Sequence, residues 1–317
     1  MVFLVPAPPG PAASYGALWY EDLPMKLVAL ALVATLHLSA QRLDIGVFTL
    51  FHPSELRVSA VSGPLIVKTP EANITLEGRR SYSIRLARAS FPVQVTARDG
   101  SDASFHLSIP GKIERRFYGT LTIRRAVHQL SAVVSMDLET AVASVVAAEM
   151  DPSSPMEALK AQAVAARSFY VASAARHDRF DFCDTTHCQF LRERPSKSSP
   201  AYRAAEQTRS LVLSWQGKPL AALYSASCGG QTRSLDHPTN GYPYFPVNCE
   251  FCRRHSPNEM RGHQLGLCQA GAAGMAQAGA GFREILDHYY PGTALVDARD
   301  NAIFLLPLQP ALRHIKY

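Results

Sequence analysis

Apolar and polar residues alternate in short runs from Leu43 to about Ile123, a pattern typical of half-buried β-strands. Gly, Pro, Asn and Asp separate these runs, as in SGP, TPEAN and ARDGSD. From Asp137 onward, apolar residues recur at helical spacing in DLETAVASVVAAEM, and Asp137 is placed to cap the first turn. The pattern therefore predicts a β-rich region followed by a helical one.

A second helix is predicted to begin at Ser154-Pro155-Met156-Glu157, which combines a capping box with proline at the first helical position. The residues EALKAQAVAARSFYVASAARH would then form about five or six turns, ending near His177. Further along, the pattern predicts a short capped helix in SSPAYRAAEQTRS, two strands joined at Gln216-Gly217, and helices in AAGMAQA and FREILDHYY. Strands followed by mixed helices and strands favour an α+β fold.

The first forty residues carry a predicted secretory signal, in which Met25-Lys26 precedes the apolar run LVALALVATLHL and then Ser39-Ala40. The run is short for a membrane span. We expect residues 1–40 to be an upstream extension and signal peptide, residues 41–115 a β-rich N-terminal region, and residues 116–317 the domain with the catalytic residues. Export predicts a place in the periplasm or cell envelope, with membrane contact only through the leader.

The composition is that of a globular protein of 317 residues, with 47% hydrophobic and 18% charged residues. The net charge of +6 is spread along the chain, so it suits any polyanion and selects none.

Predicted export also changes how the six cysteines are interpreted, because thiols outside the cytoplasm seldom remain free and usually form disulfides or bind metal ions. His177, Cys183, His187 and Cys188 lie close together in the sequence and would close a tetrahedral structural zinc site. A Cys183–Cys188 disulfide with two surface histidines is the competing interpretation.

The second cysteine group contains Cys228, Cys249, Cys252 and Cys268. These residues would bind a second zinc ion or form two disulfides, in any of three pairings. Either arrangement would tie residues 229–262 to the neighbouring elements.

Glu149 lies at the end of the first predicted helix, between apolar residues and a proline break. Partial desolvation there would raise its pKa and keep the carboxyl protonated, as a general acid requires. On the second helix, Lys160 and Arg167 are seven residues apart and share a face, whereas Gln162 lies about 200° from Lys160. The pattern also fits a Glu149 that only ends a helix and two cations that face solvent.

Three segments of the chain stand out, in this order: VVSMDLETAVASVVAAEMDPSSPMEALKAQAVAARSFYVAS, YSASCGGQT from Tyr224, and GHQLGLCQAGAAGMA from Gly262. In sequence and in order they resemble the stage II sporulation protein D family, which includes amidase-enhancer proteins. The resemblance implies a peptidoglycan lytic transglycosylase that cleaves glycan strands, preferably peptide-free ones, and leaves 1,6-anhydro-muramic ends. Glu149 falls on the family's catalytic glutamate. The chain departs from the family pattern at Ala141, where the family has tyrosine, and at Cys268, where it has serine.

The resemblance also implies a substrate-binding set, which consists of Lys160, Gln162, Arg167, Tyr224, Ser227, His263 and Gln269. His263 would contact substrate or only support its loop. A single carboxylate suffices for the implied chemistry, because the sugar's own 6-hydroxyl attacks C1 in place of water. Zinc would be structural, and catalysis would need no cofactor.

Peptidoglycan glycan strands are the implied partner, with an amidase as a further one and no nucleic acid. A second function stays open, that of a non-catalytic wall-binding protein that stimulates an N-acetylmuramoyl-L-alanine amidase. A zinc hydrolase is disfavoured, because each predicted cluster can be filled by four protein ligands without an open position for water.

Overall fold

The computed structural model of the protein describes residues 41–173, 176–235 and 241–300. The predicted extension and signal peptide therefore lie outside the described residues. Within these ranges the chain forms six α-helices and 17 strands, with the strand-rich part first, which confirms the predicted α+β class. No helix in this described part is both long and apolar enough to cross a membrane.

Nine strands precede the first helix. They are β1 (Arg42–Val47), β2 (Glu55–Ser62), β3 (Leu65–Lys68), β4 (Asn73–Leu76), β5 (Ser81–Arg85), β6 (Val93–Ala97), β7 (Ala103–Ile109), β8 (Ile113–Arg125) and β9 (Leu130–Asp137). These strands join β10 (Phe182–Cys183) in one ten-stranded sheet, in the order β10-β1-β9-β8-β6-β3-β4, and β7 links β2 and β5 to β8. Buried and solvent-facing residues alternate along β8, as expected for strands with one covered face.

Strand β8 holds the two parts of the sheet together. Its first half pairs with β7 and its second half with β9. Gly119 lies where the partner changes, and a Cβ there would lie 2.4 Å from the carbonyl oxygen of Ser135, so only glycine allows the strands to approach this closely. The predicted boundary between residues 115 and 116 falls inside this strand, and the division into two regions stays a prediction.

The helices and remaining strands follow in the order α1 (Leu138–Glu149), α2 (Met156–Ala172), α3 (Pro200–Gln207), β11 (Leu211–Trp215), β12 (Lys218–Pro219), β13 (Tyr224–Ser225), β14 (Ser227–Cys228), α4 (Glu250–His255), β15 (Met260–Arg261), β16 (Leu267–Cys268), α5 (Gln269–Gln277), α6 (Phe282–Tyr289) and β17 (Ala294–Asp297). A 3₁₀ turn covers Ala298–Asp300. The predicted hairpin at Gln216-Gly217 is confirmed, since β11 and β12 pair across it.

Local capping decides where the first two helices begin. The Asp137 side chain accepts a hydrogen bond from the Thr140 amide at 3.0 Å, so the predicted cap of α1 is confirmed. The capping box predicted for α2 is wrong, because Pro155 is the N-cap and makes no side-chain capping bond. The Glu157 carboxylate instead accepts from Lys160 and from the Phe282 amide. This helix ends at Ala172 rather than near His177.

Helix α2 is buried on nearly all sides, from Ala158 to Val171 with the exception of Lys160. Its many alanines let α1, α3, α5, α6 and β11 pack closely around it. Such a helix has no polar face toward solvent, so a charge within it must find a partner. Arg167, with a fully buried side chain, donates to both carboxylate oxygens of Glu139 at 2.9 and 2.6 Å. Its guanidinium also donates to the carbonyls of Ala205 and Leu211.

We expect Glu139→Gln to destabilise the fold by about 3 kcal/mol, since it leaves the Arg167 guanidinium buried without its counter-charge. Urea unfolding followed by circular dichroism measures this loss. The matched control is Glu206→Gln, which removes the partner of half-exposed Arg209 and should cost less than about 1 kcal/mol. Equal losses in the two variants would contradict a special role for the buried pair.

Candidate functional site

A cleft of about 270 Å³ opens beside the end of α1. It is lined by Glu149, Phe169, Thr186, Cys188, Gln189, residues 222–226, residues 261–263 and Gln269. These positions come from α1, α2, the segment after β10, the β13 region, the β15 region and the start of α5. Of the described lining residues, Glu149 is the one carboxylic acid.

The Glu149 carboxyl is half-buried in this wall. Its Oε1 accepts a hydrogen bond from the Phe190 amide at 3.0 Å. Burial raises the pKa of Glu149, while the Phe190 amide and the positive charge of Arg192 act in the opposite direction and lower it. The predicted desolvation of this carboxyl is therefore present, and the raised pKa keeps its proton to a higher pH than an ordinary glutamate would.

Three polar side chains, those of Gln189, Tyr224 and Gln269, line the part of the cleft that we call its floor. The Tyr224 hydroxyl donates to Gln189 Oε1 at 2.7 Å, and Gln189 Nε2 donates to the Ala166 carbonyl at 3.1 Å. Gln269 Nε2 donates to Gln162 Oε1 at 3.3 Å. Gln162 is fully buried on α2 and thus lies behind the floor, where it orients Gln269. Tyr224 and Gln269 lie at the cleft as predicted from the sequence, and their contact with substrate stays a prediction.

His263 and Arg261 form the opposite wall. His263 Nδ1 accepts from the Leu265 amide at 3.0 Å, which places the proton of the neutral imidazole on Nε2. Burial lowers the pKa of His263, which favours this neutral ring. Arg261 forms an ion pair with Glu259, and it brings a cation to a wall where the sequence pattern predicted none.

Three residues predicted to bind substrate lie elsewhere. Lys160 pairs with Glu157 at 2.6 Å and lies over the Phe282 ring, which attaches α2 to α6. Arg167 forms the buried ion pair with Glu139. Ser227 is buried, and its hydroxyl donates to the Glu259 carbonyl at 2.8 Å. None of the three is among the described residues that line the cleft, and their contact with substrate stays a prediction.

The predicted His177, Cys183, His187 and Cys188 group does come together, and its four ligand atoms all lie within 4.8 Å of one another. His177 Nε2 and Cys188 Sγ are 3.3 Å apart, and His187 Nδ1 lies 3.5 Å from Cys188 Sγ and 3.8 Å from Cys183 Sγ. Zinc bonds of about 2.0–2.3 Å in a tetrahedron give edges of about 3.3–3.8 Å. The donors and their spacing therefore fit such an ion.

This His/Cys group lies against the cleft. Cys188 lines the cleft, and the Phe190 amide that binds Glu149 follows two residues later. Whatever fixes Cys188 therefore also fixes the donor that holds the candidate acid.

Residues 126–215, from the turn before β9 to the end of β11, match the family model described as Stage II sporulation protein. This part of the chain is therefore similar to the stage II sporulation protein D family. The match contains α1, α2, Glu149 and the His/Cys group. The chain is also 26% identical to an uncharacterised protein of Brachyspira hyodysenteriae, in an alignment that covers 57% of this chain and 72% of the relative.

Several residues around this cleft were not predicted. They include Phe190, which contributes only a backbone amide, as well as Gln189, Arg192 and Arg261. A backbone amide such as that of Phe190 cannot be predicted from a pattern of residue types, because every residue except proline has one. Arg261 directly precedes the Gly262-His263 block, which is the one sequence signal that would have pointed to it.

We expect Arg192→Gln to raise the pKa of Glu149 further, since the charge of Arg192 favours the carboxylate. The proton would then be lost only at a higher pH than in the unmodified protein. Carbon-13 NMR titration of the glutamate carboxyls measures this, with the Glu149 signal assigned by its loss in Glu149→Gln. The control Arg209→Gln removes a cation paired with Glu206 and should leave that signal's titration unchanged. A Glu149 pKa that falls or stays constant in Arg192→Gln would contradict the assigned electrostatics.

Proposed function

We propose that the protein is a lytic transglycosylase that cleaves the glycan strands of peptidoglycan, with Glu149 as its single acid/base. The family match fits a role in the cell wall. The observation that carries the finer proposal is the cleft whose described lining contains one carboxylic acid, half-buried and with a raised pKa. Hydrolytic glycosidases ordinarily use two carboxyl groups, whereas a transglycosylase needs only one.

The reaction needs two proton transfers, in which Glu149 first donates a proton and then accepts another. Protonated Glu149 donates its proton to the glycosidic oxygen as the bond from that oxygen to C1 breaks. The 6-hydroxyl of the same muramic acid unit then attacks C1, and the Glu149 carboxylate accepts its proton. The products are a 1,6-anhydro-muramic end and a free hydroxyl on the leaving sugar, and Glu149 regains its starting state. Water takes no part.

The cleft offers partners for the sugar. Tyr224, His263 and Gln269 present polar groups along it. Arg261 supplies a cation that would hold the lactyl carboxylate of a muramic acid unit without its peptide, as a charge-assisted hydrogen bond. This replaces the role first expected of Lys160 and Arg167, and it supports the preference for peptide-free strands. Export to the envelope, and an amidase that removes the stem peptides, belong to the same proposal.

Glu149→Gln should abolish release of 1,6-anhydro-muramic products from peptide-free strands, with a loss of at least about 100-fold, because the amide cannot transfer the proton. Mass spectrometry of the digest measures this. Glu206→Gln is the control, since it changes the same group outside the cleft. Strand binding by Glu149→Gln should persist and would show that the cleft is intact. Unchanged cleavage by Glu149→Gln would remove Glu149 from the mechanism. Absence of cleavage by the unmodified protein, with stimulation of an amidase that stays intact in Glu149→Gln, would replace the enzyme by the wall-binding enhancer.

We also propose that His177, Cys183, His187 and Cys188 hold a structural zinc ion. The support is the donor set and spacing described above. The ion would fix the loop that carries the Phe190 amide and would take no step in the reaction.

His177→Gln should lose one zinc ion per chain and lower the melting temperature, because it removes one of four ligands. Elemental analysis and a thermal melt measure the two effects. His128→Gln alters an exposed histidine outside the cluster and should change neither. A zinc content that is the same in His177→Gln as in the unmodified protein, together with a Cys183–Cys188 disulfide found by peptide mapping, would contradict the metal assignment.

A further inference from the structure

We infer that Cys228, Cys249, Cys252 and Cys268 form a second structural zinc site, a tetrathiolate that holds residues 241–262 against the Arg261–His263 wall of the cleft. The inference does not rest on the proposed reaction. It rests on the convergence of four buried sulfurs, on the donors around them, and on the backbone that makes room for them.

The four sulfurs come together from three segments of the chain. All four cysteines are buried, with exposed fractions of 0 to 3%. Their Sγ atoms lie within 4.8 Å of one another, and those of Cys252 and Cys268 are 3.4 Å apart. Tetrahedral zinc with bonds of about 2.3 Å to sulfur has edges of about 3.8 Å. The arrangement therefore needs only small movements to close around an ion.

Hydrogen-bond donors surround the sulfurs. The Gly271 amide donates to Cys268 Sγ at 3.4 Å, and the Tyr289 hydroxyl donates to Cys249 Sγ at 3.3 Å. Donors of this kind orient metal-bound thiolates and offset their charge. A disulfide sulfur, which carries no charge, gains far less from them.

Gly271 shows that the backbone of α5 is adapted to this cluster. A Cβ at this position would lie 2.4 Å from Cys249 Sγ and 1.9 Å from the Tyr289 hydroxyl oxygen. Only glycine lets the start of the helix approach the sulfur and its donor this closely.

The approach of all four sulfurs to a common centre favours a bound metal ion over two disulfides or four free thiols. Disulfides join sulfurs two by two at about 2.05 Å, and nothing in two separate pairs requires all four sulfurs to share a centre. Free thiols packed together in an exported protein would be open to oxidation. A thiophilic divalent ion satisfies all four at once, and zinc is the ion that tetrahedral Cys₄ sites hold.

The site connects directly to the cleft. Cys228 on β14 pairs with Met260 on β15, and Arg261 follows. Cys268 immediately precedes Gln269 at the cleft floor. Cys249 and Cys252 flank the start of α4. Loss of this ion should therefore release the Arg261–His263 wall, whereas loss of the first ion should affect the Phe190 side.

The test compares the intact protein with Cys252→Ser and Cys183→Ser. Elemental analysis should give two zinc ions per chain for the unmodified protein and one for each variant. In denaturant with chelator and without reductant, all six cysteines should react as free thiols. Limited trypsin digestion should then cut at Arg253, Arg254 and Arg261 faster in Cys252→Ser than in Cys183→Ser.

A readout that needs no variant guards against failure of Cys252→Ser to fold. Chelated unmodified protein titrated with Co²⁺ should bind two ions and develop the intense thiolate charge-transfer absorption of tetrahedral cobalt. At most two reactive thiols, a zinc content in Cys252→Ser equal to that of the unmodified protein, or iron with its visible absorption in the purified protein would each overturn the proposal.

Discussion

The ion pair between Glu139 and Arg167 is the constraint on which the rest of the structure depends. An arginine at the centre of a helix that is covered on nearly every side cannot stay charged without a partner. Glu139, in the first turn of α1, is that partner. The pair fixes α1 against α2, and α1 then places its last residue, Glu149, at the mouth of the cleft. A buried charge thus determines where the candidate acid lies.

The helices and strands could be predicted because their signals are local. The cap at Asp137 and the turn at Gln216-Gly217 act over a few residues, and the structure has both. The start of α2 was missed for a tertiary reason, since Glu157 binds the Phe282 amide from another helix instead of capping its own. The local capping preference of Glu157 was therefore overridden by a contact with a residue 125 positions away in the chain.

The site was predictable only in part, for a related reason. Spacing correctly grouped both sets of residues that could hold a metal ion, because cysteine and histidine have few other uses at such density. Spacing did not show which way Lys160 and Arg167 point, since a helix buried all round has no polar face from which direction can be inferred. Arg261, which lines the cleft, and Phe190, whose amide binds Glu149, lie on segments without periodicity and were not predicted.

A single acid/base must be stable in both protonation states. The surroundings of Glu149 allow this, because some of them raise its pKa and others lower it. Burial alone would favour the acid and leave the carboxylate as a poor intermediate. The Phe190 amide and Arg192 favour the carboxylate, and both lie on the segment that continues from Cys188. The group at His177–Cys188 therefore influences proton transfer by positioning this segment, without taking part in the transfer. If the segment with Phe190 and Arg192 moved away, the Glu149 carboxyl would stay desolvated but lose its hydrogen-bond donor. The step in which the carboxylate must form and accept a proton would then become the slow one.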